Sequence, residues 1–276
     1  MTLSLSTRIV KETILTSGGS VLSWSSSHHI DDLIARKKYD EAIELLEERI
    51  RQDPADIWIR MQFGDALVSK GQKDRAAKVF MGLIDQLASD GKLPKAIAVL
   101  KKLRRMEPRQ SDAEERLLES WHEEGPADRT KVLSFKTSAE RSPLFSDFSR
   151  EELLEVVRGL ELRSYDGGAI LVTEGEPGNS LFILTHGTVR AFVKTQTGRN
   201  VEVRRMEEGE FFGEVSLLSG GPRSATVTAA SPCELLELDR ETLADIESRH
   251  PRVRTVVEEF YARRAGSSRE RDARSS

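Results

Sequence analysis

Between Phe211 and Val227 the chain reads Phe-Phe-Gly-Glu-Val-Ser-Leu-Leu-Ser-Gly-Gly-Pro-Arg-Ser-Ala-Thr-Val, and this stretch holds the residues best suited to chemistry. Gly213 has no side chain to obstruct a close backbone approach. Glu214 to Leu218 can form one helical turn, whose first amides point outward unpaired and attract an anion. Arg223 returns from a Gly-Gly-Pro turn and offers a planar fork of donors matched to a phosphate. Ser224 adds a hydroxyl, and Ala225 leaves its own amide accessible. A carboxylate at Glu214 repels an anion, so its fitting partner is a hydroxyl such as a ribose 2′-OH. An anion and a sugar hydroxyl side by side describe a nucleotide.

The elements around this stretch are short and β-like. Runs at 160–165, 169–172, 180–185, 188–194, 201–206, 225–229 and 233–239 are separated mostly by turn glycines, among them Gly175, Gly187, Gly198 and Gly209. That pattern predicts a small antiparallel barrel or jelly roll. Ser149 with Glu152 three residues on is a capping-box signature opening a helix over 149–159. Two further helices are expected behind the strands, at about 240–249 and 251–264, divided by Pro251.

Upstream the period changes. From Ile30 to about Glu124, apolar residues recur at three- and four-residue intervals, as in Leu33, Ala42, Ile43, Leu46 and Ile50. Six helices are expected, near 30–37, 39–52, 55–70, 73–89, 92–106 and 111–123. The pattern Tyr39-x2-Ala42-x3-Leu46-x7-Pro54 reappears as Leu93-x2-Ala96-x3-Leu100-x7-Pro108, with Ala76-x3-Phe80 between them. This resembles the tetratricopeptide repeat (TPR), whose period is about 34 residues. The array is short and irregular, since Ala88 stands where a proline is expected. The resemblance implies an interaction solenoid; a plain helical bundle is the alternative reading.

Composition bounds the function. Forty-two Lys and Arg against 46 Asp and Glu give a formal net charge of −4, which argues against a dedicated nucleic-acid binder. No apolar run reaches bilayer length, and Cys233 is the only cysteine, so neither a disulfide framework nor a multi-thiolate zinc site can form. A cytoplasmic protein without membrane or nucleic-acid partners is expected. The serine-rich stretch 1–29 and the tail 265–276 read as disordered, and 125–142 as a linker between a helical domain at 30–124 and a second domain at 143–264.

The motif Phe212-Gly213-Glu214-x2-Leu217-Leu218-x3-Pro222-Arg223-x-Ala225-x-Val227 resembles the phosphate-binding cassette of cyclic-nucleotide-binding domains. Pro143-Leu144-Phe145, Gly168-x-Ile170, Glu174-Gly175-Glu176-x-Gly178-x3-Phe182-x-Leu184 and Gly187 match the same family in order and spacing. The resemblance implies that Arg223 pairs with the cyclic phosphate and that Glu214 accepts from the ribose 2′-OH. It also implies that the amides of Val215, Ser216, Ser224 and Ala225 cradle the phosphate, with Gly213 near the sugar. Ser224 stands where some members discriminate between bases, and its hydroxyl suits either the phosphate or a guanine amino group, which leaves the base open; cyclic AMP is the expected ligand and cyclic GMP the alternative. Tyr261, or its neighbour Phe260, is expected to cover the base from the last helix.

The expected fold class is thus α+β in two domains, a TPR-like solenoid followed by a β-barrel or jelly-roll cyclic-nucleotide-binding domain with flanking helices. The expected function is that of a non-enzymatic cyclic-nucleotide sensor and adaptor whose helical repeats hold an unidentified protein partner. The alternative is an interaction scaffold of this fold that no longer binds ligand. His186 and His250 are too far apart in pattern for a cupin-type metal cluster, and neither a P-loop nor a nucleophile elbow is present.

Overall fold

A computed structural model describes residues 29–30, 32–107, 112–123, 145–259 and 261–262. The expected tails (His29 apart), the linker at 125–142, and Pro108, Pro143, Leu144 and Phe260 lie outside the described residues. The chain divides into two compact units, Met1–Ala76 and Ala77–Ser276.

In the first unit, α1 (32–35), α2 (Tyr39–Gln52) and α3 (Ile57–Ser69) precede the start of α4 (Lys73–Ser89). Ala42 and Leu46 of α2 are buried, as are Ile59, Phe63, Ala66 and Leu67 of α3. The repeat's small alanine therefore sits where helices approach closely. Asp56 caps α3, its Oδ1 accepting from the Ile59 amide at 3.0 Å. Acids in the first turn of α2 and arginines in its last turn complement the helix dipole.

The second unit holds the rest of α4, then α5 (Leu93–Met106), α6 (Asp112–Glu123), a 3₁₀ turn (Phe145–Asp147) and α7 (Arg150–Gly159). Both halves of the capping box at Ser149 and Glu152 form, at 3.2 and 2.7 Å. Eight strands follow: β1 (Glu161–Tyr165), β2 (Ile170–Val172), β3 (Ser180–His186), β4 (Val189–Lys194), β5 (Asn200–Met206), β6 (Phe211–Phe212), β7 (Thr226–Ala229) and β8 (Cys233–Asp239). The short helix α8 (Glu214–Ser219) lies between β6 and β7, and α9 (Arg240–Arg249) and α10 (252–259) close the unit.

The strands form two antiparallel four-stranded sheets, in the orders β1-β8-β3-β6 and β2-β7-β4-β5. They do not close into a barrel; the order is that of a jelly roll. Phe182, Leu184, Phe212, Cys233 and Leu235 of the first sheet pack against Val189, Ala191, Met206, Val227 and Ala229 of the second. The first sheet is buried on its other face as well, where Leu162, Leu236 and Ile183 stand in register across β1, β8 and β3. Helix α5 covers these three strands, which explains why Leu93, Ala96, Ile97, Ala98, Val99, Leu100 and Leu103 are all buried. Lys102 of α5 pairs with the buried Glu234 of β8 at 2.7 Å.

Candidate functional site

Helix α8 is set between two glycines in the left-handed region, Gly213 at φ +89° and Gly220 at φ +75°. A side chain at either position would strain the backbone, and at Gly213 a Cβ would also lie 2.5 Å from the Ser180 carbonyl oxygen and 2.6 Å from Arg223 Nη1. The helix begins directly behind the two-residue strand β6, so its first turn opens at the edge of the jelly roll.

Arg223 lies on the loop that returns from α8. Its amide donates to the Glu176 carbonyl at 2.8 Å, its carbonyl accepts from Gly175 at 2.9 Å, and Pro222 bridges Pro177. The residue is only 7% exposed. Nη1 donates to the carbonyls of Ser180 at 2.7 Å and Gly213 at 3.2 Å. The guanidinium lies 5.6 Å from the centre of the Phe182 ring, which stacks on Phe212 at 5.1 Å. Nε and Nη2 have no hydrogen-bond acceptor among the described residues.

A buried guanidinium without a carboxylate in contact is costly. Burial pulls the Arg223 pKa below its ordinary value, against the weaker upward pull of Glu237 and Glu214. Anything anionic that reaches the two open donors relieves that cost. Gly178 clears the approach, since a Cβ there would lie 2.4 Å from Ser216 Cβ and 2.8 Å from Arg223 Nε.

The other expected site residues fall as follows. Glu214 opens α8 and is partly exposed, Val215 is exposed, and Ser216 is buried with its hydroxyl donating to the Pro222 carbonyl at 3.0 Å. Ser224 is exposed and Ala225 half-buried, in the bend between Arg223 and β7. Gly213, Glu214, Val215, Ser216, Arg223, Ser224 and Ala225 thus lie on α8 and the returning loop that Ser216 and Arg223 tie to it. Tyr261 is helical and half-buried, and among the described residues makes no hydrogen bond or ring contact with that group.

The sequence reading missed Ser180, whose carbonyl anchors Arg223, and Arg240, whose Nη2 donates to the Ser216 carbonyl inside α8. Only the strand-to-helix junction at Asp239-Arg240 could have drawn attention to the latter.

Residues 162–250 match the family model of the cyclic nucleotide-binding domain, and residues 33–92 that of the tetratricopeptide repeat. A cyclic nucleotide-gated potassium channel of Mesorhizobium japonicum is 35% identical over 126 residues, 46% of this chain and 34% of the channel. A cAMP-dependent protein kinase regulatory subunit of Mycosarcoma maydis is 35% identical over 103 residues, 37% of this chain and 19% of the subunit. The chain therefore spans about a third of the first relative and about a fifth of the second. The crystal structure of Thermus thermophilus catabolite activator protein is 33% identical, covers 49% of this chain and 63% of its own, and superposes with a TM-score of 0.43. The chain carries a domain of the cyclic-nucleotide-binding family, preceded by a tetratricopeptide-repeat segment.

Proposed function

We propose that this chain is a non-enzymatic cyclic-nucleotide sensor and adaptor, with a ligand site at α8 and Arg223 and a partner surface on the helical repeats. The observation that carries the reading is the buried Arg223, held on an aromatic floor by two carbonyls with two of its donors left over. In this reading Nε and Nη2 take two oxygens of the cyclic phosphate, and the amides of Val215, Ser216, Ser224 and Ala225 complete the cradle. Glu214 accepts from the ribose 2′-OH, beside Gly213. Ser224 meets the phosphate or the base, and Tyr261 supplies the lid. Cyclic AMP is the favoured ligand. The relatives named for cyclic-nucleotide gating and cAMP dependence support the ligand class.

Binding draws α8 and Arg223 onto the phosphate, and α10 then closes over the base as a hinged element. The nucleotide must favour one hinge state over the other, typically by about 1–3 kcal/mol, to change a partner's affinity. Isothermal titration with cyclic AMP and cyclic GMP in parallel tests the reading. Saturable binding is expected, weakened at least about tenfold in Arg223→Ala and in Glu214→Ala, since a hydrogen bond to a charged group contributes about 1.5–3 kcal/mol. A purified chain indifferent to both nucleotides leaves only the interaction scaffold.

A further inference from the structure

Helix α8 is gripped at two points, and only one of them faces the phosphate. At its start, Arg223 holds the Gly213 carbonyl and the Ser180 carbonyl together. Further along, Arg240 Nη2 donates to the Ser216 carbonyl, which also accepts from the Gly220 amide at 3.0 Å. Arg240 is the first residue of α9, and its own amide donates to the Asn179 carbonyl at 2.7 Å. The two arginines are thus fixed to consecutive peptide groups at the entry to β3. Any displacement of α8 bears on α9 through Arg240.

From the far end of α9 a chain of ion pairs crosses three more helices. Arg249 pairs with Glu155 of α7. Glu155 also accepts from Arg158 Nη1 at 3.0 Å, and Arg158 Nε donates to Glu114 of α6 at 3.1 Å. Glu114 in turn pairs with Arg104 of α5. The two carboxylates that each bridge two arginines are the sequestered members, with side chains 15% and 7% exposed. Sequestered acids hold their partners more firmly than exposed pairs do, because losing a partner leaves a charge poorly solvated. A parallel tie, Arg252 of α10 to Glu152 of α7 at 2.6 Å, braces the same helices.

We propose that Arg240 is a positioning residue for the nucleotide site, and that the ladder Arg249–Glu155–Arg158–Glu114–Arg104 carries the state of α8 to helices α6 and α5. For its ligand the inference rests on the nucleotide reading given above. The route gives α5 and α6, which follow residues 33–92 in the sequence, a physical share in the binding equilibrium, and linkage makes the coupling reciprocal. A change at Glu114 must then alter nucleotide affinity, although Glu114 lies on another helix from every residue of the cassette.

Hydrogen exchange on the full chain without ligand tests the geometry alone. Arg240→Ala should speed exchange in 214–219, and Arg240→Lys should restore part of the protection; unchanged exchange in Arg240→Ala overturns the positioning role. Glu114→Gln should loosen α9 and α8 as well as α6, and a response confined to α5 and α6 overturns the ladder. Arg158→Gln, which cuts the same ladder from a half-exposed side chain, should reproduce the pattern if Glu114→Gln folds poorly; an effect confined to α7 and α6 counts against the ladder. In the ligand arm, Glu114→Gln should shift the nucleotide Kd about fivefold or more, and an unchanged Kd overturns the coupling. If the wild-type chain binds neither nucleotide, the sensor reading fails while the exchange measurements still judge the mechanical link.

Discussion

Arg223 does two things at once, and the balance between them sets its sensitivity to change. Nη1 stitches the start of α8 to β3, while Nε and Nη2, without an acceptor among the described residues, take the ligand in the reading proposed above. Lysine keeps the charge but loses the fork, so Arg223→Lys should fold and bind at least about tenfold more weakly by titration. Gly178 guards the same side chain by having none of its own. In Gly178→Ala the new methyl would collide with Ser216 Cβ and the Arg223 stem, so it should cost about 1–3 kcal/mol in urea denaturation and weaken nucleotide binding together. A loss of binding with unchanged stability would mean that the loop yields freely around residue 178.

The elements show what a single sequence discloses and what it conceals. Most strands were legible because their turns are written in glycine: Gly175, Gly187, Gly198 and Gly209 all adopt positive φ, which few other residues tolerate. Strand β6 was not, since two residues cannot display an alternation. The cassette helix was legible from its residue types, but Arg240 was not. A cation in the first turn of a helix opposes the dipole and reads as a solvated side chain, and only the fold returns it to Ser216. The placement of α5 was concealed too, although the unbroken Ile97-Ala98-Val99-Leu100 run without a polar face is what a helix covered on several sides looks like. The capping box at Ser149 was legible and forms. Ser149→Ala should therefore cost about 1 kcal/mol, read as a lowered denaturation midpoint.

At the scale of the second unit, the α4–α5 corner and the turns of the jelly roll meet at a cleft of about 510 Å³ lined by Lys92, Lys95, His186 and Glu208. Burial alone would raise the Glu208 carboxyl, but hydrogen bonds from His186 and Lys95 outweigh it and bring the pKa to about 2. A carboxylate depressed in the folded state stabilises the protein above its ordinary pKa near 4.5, and that stabilisation fades as pH falls toward 2. Urea midpoints measured at pH 5, 4 and 3 should fall steadily, and Glu208→Gln should flatten the fall. Equal slopes in the two proteins would place the acid sensitivity elsewhere.

The cover that α5 provides over Leu162, Leu236 and Ile183 has a practical side. A fragment begun at the polar stretch before residue 143 would strip that cover away and present a wet leucine-rich sheet, which is an aggregation hazard in expression. Anyone isolating the jelly roll should start upstream of Leu93, and the piece obtained will carry α5 and α6 with it.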